Sequence, residues 1–141
     1  EHILTRYHAT HRTEMDWLIA LAQKVETVHG DHDEAPLGLT EALVALRDDL
    51  EYHMAKEEQV LFPMMRQGGH PMIVHPIGAM RHEHDHTAGL LRKLEHVTHG
   101  LTLPEGACRS WTALYGGLAK FRDDLRAHMG LETGTLFPRF A

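Results

Sequence analysis

A histidine and a glutamate four residues apart occur twice in this chain, as His53 with Glu57 and as His128 with Glu132. Each pair lies inside a longer repeat: the segment from Arg47 to Pro63 returns between Arg122 and Pro138, and both copies read R-D-D-L-x-x-H-M-x-x-E-x-x-x-L-F-P. On an α-helix this spacing stacks the two side chains on one face about a turn apart. Each copy is therefore a ready bidentate ligand unit, and two such units in one small chain point to a pair of metal ions.

Something must hold the units together, and the apolar residues recur at helical period in four stretches. The pattern predicts helix one over 1–29, ending at Gly30, and helix two from Leu37 or Thr40 to Gln67. Helix three is expected from Pro76 to His99, and helix four from Ala107 to Phe137. Turn-forming stretches, Gly30–Pro36, Gly68–Pro71 and Gly100–Gly106, separate them, and no alternating β-branched run predicts a strand. Four long helices on short connections run antiparallel, up-down-up-down, around one core. The expectation is an all-α four-helix bundle forming one domain over residues 1–141.

The inner stripes sharpen the histidine question, because the chain has 14 histidines in 141 residues. Helix two presents Leu39, Leu43, Leu46, Leu50, His53, Glu57, Val60 and Met64; helix four presents Trp111, Leu114, Leu118, Phe121, Leu125, His128, Glu132 and Leu136. His84 interrupts the stripe of helix three between Met80 and Leu91. Helix one, running through Leu4, Tyr7, Met15 and Leu18, leaves two candidates, His8 and His11. In an up-down-up-down bundle the starts of helices one and three meet the ends of helices two and four. All the inward polar residues then converge at one end.

A carboxylate buried without a partner costs several kcal/mol, so Glu57 and Glu132 must be protonated, ion-paired or metal-bound. No Lys or Arg lies on the inner stripes beside them. Imidazole with carboxylate and no thiolate suits iron, manganese or zinc. If both glutamates bridge, their four oxygens join four imidazole nitrogens, and a bridging oxo or hydroxo group adds a bond to each ion. That fills most positions of two octahedral ions and leaves room for O2, NO or water.

Other features receive weaker readings. His82 to His86 formally matches the H-E-x-x-H metalloprotease signature with Glu83 as base, but both histidines fall off the apolar face that carries His84. Asp49 and Asp124, one turn before His53 and His128, are candidates to accept the second imidazole N–H or are solvated charges. Glu83 is a candidate gate for protons or iron, with a solvated face as its plainer reading, and Glu58 reads as surface. Cys108 opens helix four and reads as a packing thiol. His29, His32, His70, His75, His96 and His99 read as solvated.

The composition excludes several classes. A net charge of −6 leaves no basic stripe for nucleic acid. No apolar run reaches membrane-spanning length. One cysteine fits a reducing compartment, so a cytoplasmic protein is expected.

The motifs around Arg6–Arg12, His53–Pro63, Met80–Asp85, Pro104–Trp111 and His128–Pro138 resemble, together over nearly the whole chain, the hemerythrin-like domain of the iron-sulfur cluster repair di-iron proteins, also called the repair-of-iron-centres family. The resemblance implies metal ligands at His8, His53, Glu57, His84, His128 and Glu132, which selects His8 over His11. It implies two iron ions, oxo- or hydroxo-bridged with Glu57 and Glu132 as further bridges. It also implies a role in recovering iron-sulfur clusters after nitrosative or oxidative stress, by iron donation or NO chemistry, with iron-sulfur proteins as clients. A reversible O2- or NO-binding or sensing protein is the alternative. The family's usual N-terminal module with a cysteine pair has no counterpart in this sequence, so activity depending on those thiols is not expected.

Overall fold

The computed structural model describes residues 2–66, 68, 74–136 and 138, the side chains of 2–6, 74–76 and 135 excepted. Among them are α1 (His2–His29), α2 (Leu39–Lys56), α3 (Phe62–Arg66), α4 (Val74–Val97) and α5 (Arg109–Leu131). Two π turns, Glu57–Leu61 and Glu132–Leu136, extend α2 and α5. Helix two of the sequence reading is thus α2, a π turn and α3 in succession. Glu1, Gln67, Phe137 and His70 lie outside the described residues, as do the side chains of Leu4 and His75. The four long helices form the expected bundle, with α1 packed on α2 and α5, and α2 on α4.

The helix ends follow from their residues. α1 stops at Gly30, and the carboxylate of Glu26 near its end accepts the backbone N–H groups of Gly38 (2.7 Å) and Thr40 (2.9 Å) and the Thr40 hydroxyl. A negative charge thereby meets the unpaired N–H groups at the start of α2. Gly38 itself sits at φ 90°, a conformation that suits a residue without Cβ. At α5 the Cys108 sulfur accepts from the Trp111 N–H, so this thiol is a helix cap as well as a packing group.

The π turns have a local cause in the first copy of the repeat. Pro63 lacks an N–H, and in a regular α-helix its ring would collide with the carbonyl four residues back. A widened turn precedes it instead, in which the Phe62 N–H donates to the Glu57 carbonyl five residues back. The extra residue rotates everything after Glu57. Val60, expected inside, is 48% exposed, while Leu61, Phe62 and Met65 are buried, and Met64 is only partly so.

Two apolar clusters result. The larger contains Leu18, Leu43, Leu46, Leu91, Trp111, Leu118 and Phe121 among others, and the smaller contains Leu61, Phe62, Met65, Ile77 and Met80. Between them along the helices lies a polar layer of His8, His11, His53, Glu57, His84, His128 and Glu132.

α5 packs tightly on α1 at Gly117, where an added Cβ would lie 2.5 Å from Trp17 Cζ3 and 2.9 Å from Leu18 Cδ2. Trp17 is half exposed and can swing outward, but Leu18 is fully buried. Gly117→Ala is expected to destabilise the chain by about 1–3 kcal/mol through overpacking, despite the ~1 kcal/mol that alanine gains over glycine inside a helix. A urea midpoint equal to or above that of the parent would show that the helices part there without strain.

Candidate metal centre

The bundle delivers the predicted residues from four helices to one level. His8 comes from the start of α1 and His84 from α4; His53 with Glu57 and His128 with Glu132 come from the ends of α2 and α5 and the π turns that follow. One donor atom from each of His8, Glu57, His128 and Glu132 lies within 4.8 Å of the others, and all four residues are buried. His8 Nε2 is 3.2 Å from Glu57 Oε1. His84 Nε2 and His128 Nε2 both approach Glu132 Oε1, at 3.1 and 3.4 Å. His53 stands at the rim of this group, with Nδ1 3.5 Å from Glu83 Oε1 and Nε2 3.1 Å from Asp49 Oδ2.

The inward atoms are left unmatched. His8 Nε2, His53 Nδ1, His128 Nε2, Glu57 Oε2 and both oxygens of Glu132 are buried without a well-formed hydrogen bond. Each such atom costs about 1–3 kcal/mol, more if charged. Polar groups converging unpaired in a core fit a cation that would bind them all, and the nitrogen and oxygen donors suit a borderline or hard divalent ion.

The electrostatics agree. Burial, followed by repulsion from other histidines, lowers His84 to about 4 and His128 to about 2. Burial also raises the Glu57 carboxyl, partly opposed by the neighbouring His8 and His53. At neutral pH these imidazoles are uncharged and keep a lone pair for a ligand.

The outward nitrogens are all engaged. His8 Nδ1 lies 2.9 Å from Glu58 Oε2, and a carboxylate that only accepts fixes the proton on Nδ1 and the lone pair on Nε2. Burial pushes the Glu58 carboxyl up, but hydrogen bonds from Arg12 (3.0 and 3.1 Å) and His8 outweigh it and hold it below its usual range. Glu58, read from sequence as surface, is therefore half-buried and supports His8. Asp49 does the same for His53 and accepts the Thr87 hydroxyl at 2.6 Å. His84 Nδ1 meets the Thr133 hydroxyl at 3.2 Å.

The second copy of the repeat behaves differently. Asp124 does not reach His128; it binds Lys120 at 2.7 Å, and the position matching Lys120 in the first copy is Ala45. His128 Nδ1 instead meets His11 Nε2 at 3.3 Å. His11 is as fully buried as His8, so both candidates of helix one face inward.

Three further readings are corrected or refined. Glu83 is no solvated charge: it bonds Lys56 at 2.9 and 3.1 Å at the edge of His53. His29 is partly buried, 3.1 Å from the Cys108 sulfur. His82 and His86 are exposed and take no part in the convergent group, so nothing assembles the H-E-x-x-H arrangement.

Sequence signals existed for some of what was missed. His11 sits one turn from His8 on the same stripe, and Thr133 adjoins Glu132. Glu58 shows no signal, because its partners arrive from another helix.

No helix among the described residues is long and apolar enough to cross a membrane. The chain is 46% identical over 139 residues to the iron-sulfur cluster repair protein YtfE of Escherichia coli O157:H7, and equally to the protein of that name from Salmonella newport (strain SL254). In each case the match covers 99% of this chain but 63% of the relative, so the chain spans less than two thirds of their length. The family model described as the hemerythrin HHE cation binding domain matches residues 1–140. With its helical bundle and its convergent His and Glu donors, the chain belongs to the hemerythrin HHE cation-binding domain family.

Proposed function

We propose that this chain holds a non-haem di-iron pair and acts in the repair of iron-sulfur clusters damaged by nitrosative or oxidative stress. The ligands in this reading are His8, His53, Glu57, His84, His128 and Glu132, with Glu57 and Glu132 as bridges beside an oxo or hydroxo group. The observation that carries it is the set of buried nitrogen and oxygen atoms of His8, Glu57, His128 and Glu132 that converge from α1 and the ends of α2 and α5 without full hydrogen bonding. Two bridging carboxylates and four imidazoles match the needs of two ions better than of one, since a single ion has no use for all eight donor atoms.

When bound, such a pair supplies a redox-active centre that takes NO or O2 and can yield iron. The chain's own residues supply the rest. Leu61, Phe62, Met65, Ile77 and Met80 close one side of the polar layer with apolar surface. Those walls favour a small neutral ligand such as NO or O2 over an anion. Glu58 and Asp49 keep the protons of His8 and His53 on the outer nitrogens, so the inner lone pairs stay available. The printed name of the relatives, iron-sulfur cluster repair protein, supports iron-sulfur proteins as clients.

The test is anaerobic incubation of the iron-loaded chain with a [4Fe–4S] enzyme inactivated by NO. The expected result is recovery of the enzyme's activity with the parent chain and none with Glu57→Leu or Glu132→Leu. NO binding to the loaded chain without any recovery, and with all iron retained, would favour the gas-binding alternative.

A further inference from the structure

The four histidines read as ligands, His8, His53, His84 and His128, have four different outer partners. Glu58 serves His8, Asp49 serves His53, and the Thr133 hydroxyl serves His84. For His128 the expected carboxylate, Asp124, is drawn away by Lys120, which also binds Glu14 at 3.0 Å. His11 stands in its place.

The contact is a directed one. The ring centroids of His11 and His128 are 5.4 Å apart with the planes tilted by 22°, close to the largest separation that a 3.3 Å contact between ring atoms permits. The rings therefore meet edge to edge, as an N–H···N bond requires, instead of face to face. His11 Nδ1 faces the Glu14 carboxylate at 3.9 Å, which favours the His11 proton on Nδ1 and leaves the Nε2 lone pair for His128 to donate to. His11 is itself locked in place: it is fully buried, edge-on to Phe121 (73°), and beside Tyr7, whose ring lies parallel to that of His128 (7°).

From this geometry we infer that His11 is the positioning residue of His128: it accepts the His128 Nδ1–H, fixes that tautomer, and aims the Nε2 lone pair at Glu132 and the centre of the polar layer. The consequence for a bound metal rests on the ligand reading proposed above; the consequence for the tautomer does not. A neutral imidazole is a weaker acceptor than a carboxylate, so His128 is also the less basic ligand beside the carboxylate-backed His8 and His53.

The experiment compares His11→Met, which keeps bulk without an acceptor of this strength, with His11→Gln, whose amide oxygen can take the place of Nε2. Imidazole nitrogen NMR of the metal-free chain, with His128 assigned from the His128→Gln spectrum, is expected to show the Nδ1–H tautomer at His128 in the parent and in His11→Gln. In His11→Met that preference is lost. Anaerobic Fe(II) titration should show the weaker of the two binding steps reduced by about 10–100-fold in His11→Met and largely restored in His11→Gln. Should His11→Met not fold, His11→Leu replaces it, with circular dichroism checking the helices. An unchanged His128 tautomer in the variant without an acceptor would overturn the inference. Absence of Fe(II) binding by the parent would instead count against the ligand reading, leaving the tautomer measurement to decide the role of His11.

Discussion

Replacing Glu132 with leucine is expected to remove stoichiometric iron and, at the same time, to make the metal-free chain more stable. Glu132 is fully buried, and neither of its oxygens has a well-formed hydrogen bond although His84 and His128 approach within 3.1 and 3.4 Å. Without a cation this carboxyl is a desolvated group with incomplete compensation. A leucine of similar volume relieves that penalty, about 1–3 kcal/mol for a buried polar group left unmatched, while the uncharged imidazoles beside it strand no charge. The same substitution deletes a group that, in the proposed site, binds both ions. Iron per chain should fall far below one, while the urea midpoint of the metal-free variant rises. Glu57→Leu should act in the same direction but less strongly on stability, because only Oε2 of Glu57, against both oxygens of Glu132, is a buried oxygen without a hydrogen bond. His82→Ala, at an exposed position outside the polar layer, should leave iron unchanged. A Glu132→Leu chain that retained its iron would place the metal elsewhere.

Metal removal is the second large effect. An ion that binds the folded chain alone stabilises it by about 4 kcal/mol when free metal exceeds the dissociation constant a thousandfold. For a domain of this size that corresponds to a shift of roughly 10 °C or more in thermal midpoint. Chelation should therefore lower the midpoint by that amount, and Fe(II) returned under argon should restore it. The change should be largest at one end of the molecule. Glu57–Leu61 and Glu132–Leu136 are π turns whose first residues are the two buried glutamates, so their amide protons should exchange faster in the metal-free chain. A midpoint indifferent to chelation would mean that the polar layer is complete without a cation.

Much of this was legible before any coordinates. The apolar stripes gave four helices, and the placement of His53, Glu57, His84, His128 and Glu132 on those stripes followed from helical period alone. Choosing His8 over His11 needed a family resemblance, because both lie on the inner face one turn apart and both are buried. Periodicity failed first at Val60. A strict 3.6-residue count carried past Glu57 ignores the residue that the π turn adds ahead of Pro63, and this slips the buried set onto Leu61, Phe62 and Met65. The outer partners were harder still. The matched Asp49 and Asp124 looked equivalent in the repeat, yet only Asp49 reaches its histidine, because Lys120 has no counterpart at Ala45. Glu58 reads as surface from its own helix, and only the arrival of His8 and Arg12 from α1 makes it a support. Contacts between helices are set by tertiary packing that no single helix pattern encodes.

The metal content of the chain decides whether the polar layer is a di-iron site. The most direct measurement is iron and zinc quantification of the chain purified anaerobically, joined to Mössbauer spectra before and after NO. The expected result is two irons per chain in a spectrum that changes when NO is added; one zinc per chain with no iron would contradict it.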